Sequence, residues 1–152
     1  MLVPTSMGLR LCPDAGQPVH SSDLFRLQAT SAETNVASIS SYLGLPVKVL
    51  TAFVKDSPFA AFIKANLRSR GMDFEGPEVP QGGPWGYRHQ INVADSGYGS
   101  RGPRVWNDRS GEVGRYGDKA ARIDVYAKSK RTGETTRISF IADKPTTNYT
   151  LH

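Results

Sequence analysis

A chain of 152 residues, 38% hydrophobic and 22% charged, has room for one ordinary domain plus a short appendage, and needs no disulfide or metal to hold a core. Its net charge of +5 is unevenly placed: residues 1–114 hold 11 Lys/Arg against 10 Asp/Glu, and residues 115–152 hold 8 against 4. No apolar run approaches the roughly 18 residues of a membrane span, no segment reads as a signal peptide, and one cysteine, Cys12, excludes an internal bridge and a thiolate zinc cage, so a cytoplasmic protein is expected.

Met7-Gly8-Leu9-Arg10-Leu11 alternates like a strand, and Pro13 to Pro18 is turn chemistry. A helix is predicted to open at Thr30-Ser31-Ala32-Glu33, which has capping-box spacing, with Val36, Ile39 and Leu43 as its inward stripe and Gly44 as its stop. Val47 to Val54 reads as a buried strand. A second helix is expected from Asp56 or Ser57, with Pro58 at its first position and Phe59, Phe62, Ile63 and Leu67 facing inward; Arg70 and Gly71 end it. Helix, strand and helix in succession suggest a layered α/β sheet.

Gly71 to Pro84 is rich in Gly, Pro and acid and is read as a loop. Tyr87 to Val93 alternates strictly, Arg104 to Asn107 reads as its partner strand, and the connection between them is long for a hairpin turn. Beyond Gly114 the texture changes. Ile123, Val125 and Ala127 alternate with polar residues, Arg131-Thr132-Gly133 turns, and Ile138 and Phe140 return, which predicts a basic hairpin.

Taken one at a time, the polar residues admit plain structural readings. Asn35 lies in the first helical turns, beside backbone amides that favour a polar ligand, yet an exposed helix residue is the commoner explanation. His89 reads as a structural histidine and Cys12 as buried and inert, and no His or carboxylate has the helical spacing of a metal site. Gly97 to Gly102 could wrap an anion through its amides but lacks a following helix, so a hairpin tip fits better. Asp108-Arg109 stands beside the hairpin; arginine offers a planar fork for a carboxylate, although, taken by itself, a surface ion pair is the better explanation.

In combination these residues are more specific. Gly8-Leu9-Arg10-Leu11-Cys12-Pro13, Ser31-Ala32-Glu33-Thr34-Asn35-Val36-Ala37, Leu43-Gly44, Asp56-Ser57-Pro58, Leu67-Arg68-Ser69-Arg70-Gly71, Gly86-Tyr87-Arg88 and Arg104-Val105-Trp106-Asn107-Asp108-Arg109-Ser110-Gly111 follow one another in a familiar order. The stretch from 1 to about 115 resembles the N-terminal part of the ribokinase-like carbohydrate kinases, in the 2-keto-3-deoxygluconate kinase branch. Residues 116–152 resemble nothing in that family. The resemblance implies an α/β fold: a partial ribokinase-like sheet with flanking helices and a β lid, followed by a C-terminal β-hairpin.

It also implies roles. Asn35 would bind sugar hydroxyls, Tyr87 would supply the aromatic of the lid strand, and Arg109 would pair with the carboxylate of a keto-deoxy sugar acid. The lid would serve as a homodimer contact. Where the family carries a Gly-Gly pair before its asparagine motif, this chain has Thr30-Ser31, and where it often has Tyr before Asp-Arg, this chain has Asn107. A complete kinase of this kind would use ATP and Mg2+, with an aspartate of a Gly-Ala-Gly-Asp motif as general base at a helix start. Here the one Gly-Asp pair is Gly117-Asp118, and the strand-like pattern after it argues against that role. The expectation is a sugar-binding and lid portion, inactive as a kinase by itself, with no cofactor of its own. The rival expectation is a non-enzymatic binding or assembly module built from the lid hairpin and the basic tail. Nucleic-acid binding through Lys128, Lys130, Arg131 and Arg137 is disfavoured there, because charged hairpin faces more often keep strand edges solvated.

Overall fold

A computed structural model describes residues 1–97, 99–115, 122–128, 131–141 and 150–151. The chain divides into two compact units, Met1–Gly114 and Arg115–His152. In chain order the first unit contains β1 (Leu2–Pro4), β2 (Gly8–Pro13), β3 (Phe25–Thr30), α1 (Ala32–Tyr42), β4 (Lys48–Leu50), β5 (Phe53–Val54), α2 (Pro58–Ser69), β6 (Asp73–Glu75), β7 (Glu78–Val79), β8 (Ile91–Asp95) and β9 (Arg104–Asp108).

Two larger sheets organise this unit. β1, β4 and β6 form a parallel sheet in the order β1-β4-β6, with Val3 opposite Val49 and Val49 opposite Phe74. Parallel neighbours need a crossover, and α2 supplies the one between β4 and β6. The second sheet, in the order β3-β2-β8-β9, is mixed: β2 runs parallel to β8 and antiparallel to β3, and β8 and β9 are antiparallel. β8 and β9 fall where the two strands of the expected β lid lie; they continue into β2 and β3, and β3 has no counterpart in the sequence reading. A short parallel pair, β5 and β7, completes the unit.

The core joins these sheets to the helices. Val3, Met7, Leu9, Val49, Phe53, Ile63, Leu67 and Met72 are buried in one cluster, with Phe74 edge-on to Phe53 at 5.6 Å between ring centroids. A fully buried Leu, Ile or Phe side chain contributes roughly 1.5–3 kcal/mol of transfer free energy, so this cluster dominates the unit's stability.

Several expectations are corrected here. The inward face of α1 is Thr34 and Ala37, whereas Val36, Ile39 and Leu43 point outward; Ile39 is 63% exposed. Small side chains let the helix lie close to the sheet, and close packing decides which face turns in. Its N-cap is Ser31, whose Oγ accepts the Thr34 amide hydrogen at 3.0 Å, and Glu33 turns instead to Thr5. On α2, Ile63 and Leu67 face inward as expected but Phe59 is exposed. The segment read as a loop after Gly71 contains β6 and β7, because pairing with β4 and β5 supplies what their polar composition hides. The expected strand from Val47 to Val54 is interrupted and splits into β4 and β5.

The second unit is antiparallel: β10 (Arg122–Lys128) pairs with β11 (Thr135–Ile141), Arg122 opposite Ile141 and Lys128 opposite Thr135, and β11 pairs with β12 (Thr150–Leu151). The expected hairpin is present. Gly133 occupies the turn with a φ of 73°, a left-handed conformation that glycine adopts without strain. Asp118 and Lys130 lie outside the described residues.

Candidate functional site

The tripeptide Thr5-Ser6-Met7, between β1 and β2, is where three parts of the first unit meet. Thr5 Oγ1 donates to Glu33 Oε2 at 2.7 Å, which ties down the first turn of α1. Ser6 Oγ donates to Glu112 Oε1, beyond β9. The Met7 carbonyl oxygen lies 3.1 Å from His89 Nδ1, just before β8. Consecutive residues thereby anchor the helix start, the end of the lid and the root of the lid.

The end of the lid is a tight turn. Asp108 Oδ1 accepts the Ser110 amide hydrogen at 3.0 Å, Gly111 adopts a φ of 63°, and the chain doubles back so that the Glu112 amide donates to the Arg109 carbonyl at 3.3 Å. Glu112 thus comes to lie against Arg109. Arg109 Nε donates to Oε2 at 2.8 Å and Nη2 to Oε1 at 3.1 Å, a two-pronged contact. The carboxylate is 1% exposed and the arginine side chain 51% exposed. A Cβ on Gly114 would collide with Ser6 Oγ, so the absence of a side chain there makes room for the serine.

Tyr87 belongs to the same corner. The Arg88 amide donates to the Gly111 carbonyl at 2.7 Å and the Val113 amide to the Arg88 carbonyl at 2.8 Å, pairing the lid root with the segment that carries Glu112. Tyr87 packs against the buried Val54, Val79 and Val113, and remains partly exposed. Asn35 is exposed on α1, and its amide donates to the Ser31 carbonyl at 3.2 Å. Tyr87 thus adjoins the segment that follows Arg109 through the backbone pairing of Arg88, and Glu33 of α1 reaches Thr5, while Asn35 itself stands exposed on α1.

The other sequence candidates have internal partners. His89 is buried; its Nδ1 contacts Met7, its Nε2 accepts the Val54 amide hydrogen at 3.4 Å, and burial holds its pKa below 6.5. Cys12 is half-buried rather than fully buried, with Sγ 3.9 Å from Gln28 Oε1. The amide of Gly97 donates to Asp95 Oδ1 at 2.9 Å and Arg101 Nη2 to Oδ2 at 2.6 Å, so the glycine loop closes on the protein's own carboxylate. The Gly97 amide, with smaller help from Arg101 and Val19, holds the Asp95 carboxyl below the usual range. Among the described residues, no group of three or more His, Cys, Asp or Glu is arranged to hold a metal ion.

No family model matches the sequence, and no curated protein matches it significantly. Solved structures do match. The chain superposes on the 2-dehydro-3-deoxygluconokinase of Thermotoga maritima with a TM-score of 0.67 at 23% identity, covering 76% of this chain and 33% of that one. A PfkB family carbohydrate kinase of Listeria grayi gives 0.66 at 22% identity, covering 76% and 34%. A fructokinase of Halothermothrix orenii gives 0.56 at 15%, covering 71% and 37%.

The fold is ribokinase-like.

This chain spans about a third of the length of the solved kinases it matches. The sequence reading singled out Asn35, Tyr87 and Arg109 and did not single out Glu112, Ser6 or Thr5, the side chains that join the turn after β9 to the β1–β2 connection and to α1. Arg109 and Glu112 stand three apart across a Ser-Gly turn, a spacing that allows an ion pair. Nothing in the local sequence showed that Ser6, more than a hundred residues away, would seat the acid in the interior.

Proposed function

We propose that this chain is the sugar-binding and lid portion of a carbohydrate kinase-like protein, and that its ligand is a keto-deoxy sugar acid of the 2-keto-3-deoxygluconate type. Two observations support the reading: the likeness of the fold to sugar kinases, and a half-exposed Arg109 on the turn whose following residues, Gly111 and Val113, pair with Arg88 beside Tyr87. Asn35 and Tyr87 would hold hydroxyls and Arg109 the carboxylate, fixing the orientation of the hydroxyl that accepts a phosphoryl group in a complete kinase. ATP and Mg2+ enter only as requirements of such a complete kinase; no described residue is assigned to either.

Calorimetry with 2-keto-3-deoxygluconate tests the reading. Binding is expected for the wild-type chain and is expected to disappear in Arg109→Ala; no binding at millimolar ligand refutes the assignment. Incubation with ATP and the keto acid should give no phosphorylated product, and turnover would refute the proposed inactivity of the chain alone.

A second reading, assembly through the lid, draws on β9. Every residue of this edge strand is exposed, including Trp106 at 48%. An uncovered edge carrying apolar side chains is a template for pairing, and a homodimer across β9 would cover it. Sedimentation of the wild type and of Trp106→Lys should give dimer and monomer respectively.

A further inference from the structure

Arg109, assigned above to a ligand's carboxylate, already grips a carboxylate of its own protein. Its Nε and Nη2 atoms both donate to Glu112, at 2.8 and 3.1 Å, in the two-pronged geometry an external acid would seek. Glu112 also accepts from Ser6 Oγ, at the same Oε1 that Nη2 reaches, and is almost wholly buried. The arginine side chain is half in solvent. Of the two partners, the acid is enclosed and the arginine is the one that solvent reaches.

We propose that Glu112 is a specificity-determining residue, an internal competitor that disfavours acidic sugars relative to neutral ones at this corner. The inference rests on the assignment of Arg109 to the ligand. An incoming carboxylate has two routes, and both are penalised. If Arg109 swings away to meet it, Glu112 is left buried without its cation, which is strongly unfavourable. If Arg109 stays and shares itself, two negative charges come within several ångströms in a partly dehydrated corner, where like charges repel appreciably. A neutral sugar of the same skeleton incurs neither penalty. Among the described groups, Arg88 Nη2 is 3.9 Å from Asp108 Oδ1, a pair that sums to zero, Ser6 is neutral, and His89, which feels the charge of Glu112, has its pKa lowered by burial.

The test compares two ligands on two proteins. The ligands are 2-keto-3-deoxygluconate and 3-deoxyfructose, which carries CH2OH in place of the carboxylate. The proteins are the wild-type chain and Glu112→Gln, which keeps the shape and an acceptor for Ser6 while removing the charge. The ratio of acid to neutral affinity, by calorimetry, is expected to rise by about tenfold in Glu112→Gln, equivalent to about 1.4 kcal/mol. Ser6→Ala removes the other group that stabilises the Glu112 carboxylate, so losing Arg109 costs more; it should lower the ratio by a smaller factor, and it carries the test if Glu112→Gln fails to fold. An unchanged or lowered ratio in Glu112→Gln, or an unchanged or raised one in Ser6→Ala, overturns the proposal. If the ratio is unchanged while Arg109→Ala still abolishes acid binding, the functional assignment stands and only the role of Glu112 falls. Wild-type and variant proteins that bind neither sugar would overturn both.

Discussion

Nδ1 of His89 lies 3.1 Å from the carbonyl oxygen of Met7, and this contact sets the tautomer of the ring. A carbonyl can only accept, so Nδ1 carries the hydrogen, and Nε2 is left to accept the Val54 amide at 3.4 Å. One neutral imidazole thereby links the β1–β2 connection, β5 and the segment leading into β8.

Stability should therefore fall in acid. Burial is the main cause of the lowered His89 pKa, outweighing the Met7 contact and the charge of Glu112, which act upward; Lys64 adds to the lowering. Between that lowered value and 6.5 the unfolded chain binds a proton that the folded chain refuses, so stability is complete above 6.5 and declines as the pH drops below it. Thermal unfolding at about pH 5 should show a lower Tm than at about pH 7.5. His89→Gln should reduce that difference while lowering Tm at both, by an amount corresponding to about 1–3 kcal/mol for the lost buried bonds. A difference undiminished in the variant would assign the acid sensitivity to other groups.

Removing Arg109 should weaken the fold as well as any binding. Glu112 would keep Ser6 but lose its cation. With half of the arginine in solvent the effect is screened, and roughly 1–3 kcal/mol is expected by chemical denaturation, below the value for a fully interior pair. Adding Glu112→Gln to Arg109→Ala should restore part of this loss, and a double-mutant cycle that comes out additive would show that the contact carries no stability.

The two faces of α1 offer a direct check on its orientation. Ile39→Glu changes a side chain that is mostly in water and should alter stability by less than about 0.5 kcal/mol. Ala37→Leu forces extra volume into a fully enclosed position and should cost about 1–3 kcal/mol. The reverse ranking in urea titrations would mean the helix is rotated from the position described.

Gly76 connects β6 to β7 with a φ of 157°, and a Cβ there would drive into the Thr51 carbonyl oxygen. Backbone cannot move aside as a flexible side chain can, so Gly76→Ala should destabilise by at least about 3 kcal/mol, within the range of severe single substitutions. Gly82 has a φ of 76° and no atom within 4 Å of its would-be Cβ. Gly82→Ala should lose only about 1 kcal/mol, from backbone strain alone. Similar unfolding curves for the two variants would contradict the close approach at Thr51.

Local chemistry written into the chain was enough for part of this picture. Pro58 at the first position of α2, Gly71 at its end, and the alternation of Arg104 to Asn107 all specify conformation within a few residues, and the structure follows them. The order of short motifs likewise pointed to the ribokinase-like fold. Asp108-Arg109 beside the hairpin offered a fork for a carboxylate, though a surface ion pair was the commoner explanation.

What the sequence left open depended on contacts between distant residues. Val36, Ile39 and Leu43 carry helical spacing, but spacing defines a stripe without saying which side the sheet lies on, and close packing around Thr34 and Ala37 decided it. β6 and β7 are too short and too polar to declare themselves; hydrogen bonding to β4 and β5 makes them strands. Glu112 looks like any surface acid until Ser6, from the opposite end of the unit, meets it beneath Arg109. Periodicity and turn chemistry act over a few bonds and can be read in order, whereas burial and charge pairing belong to whichever residues the completed fold sets side by side.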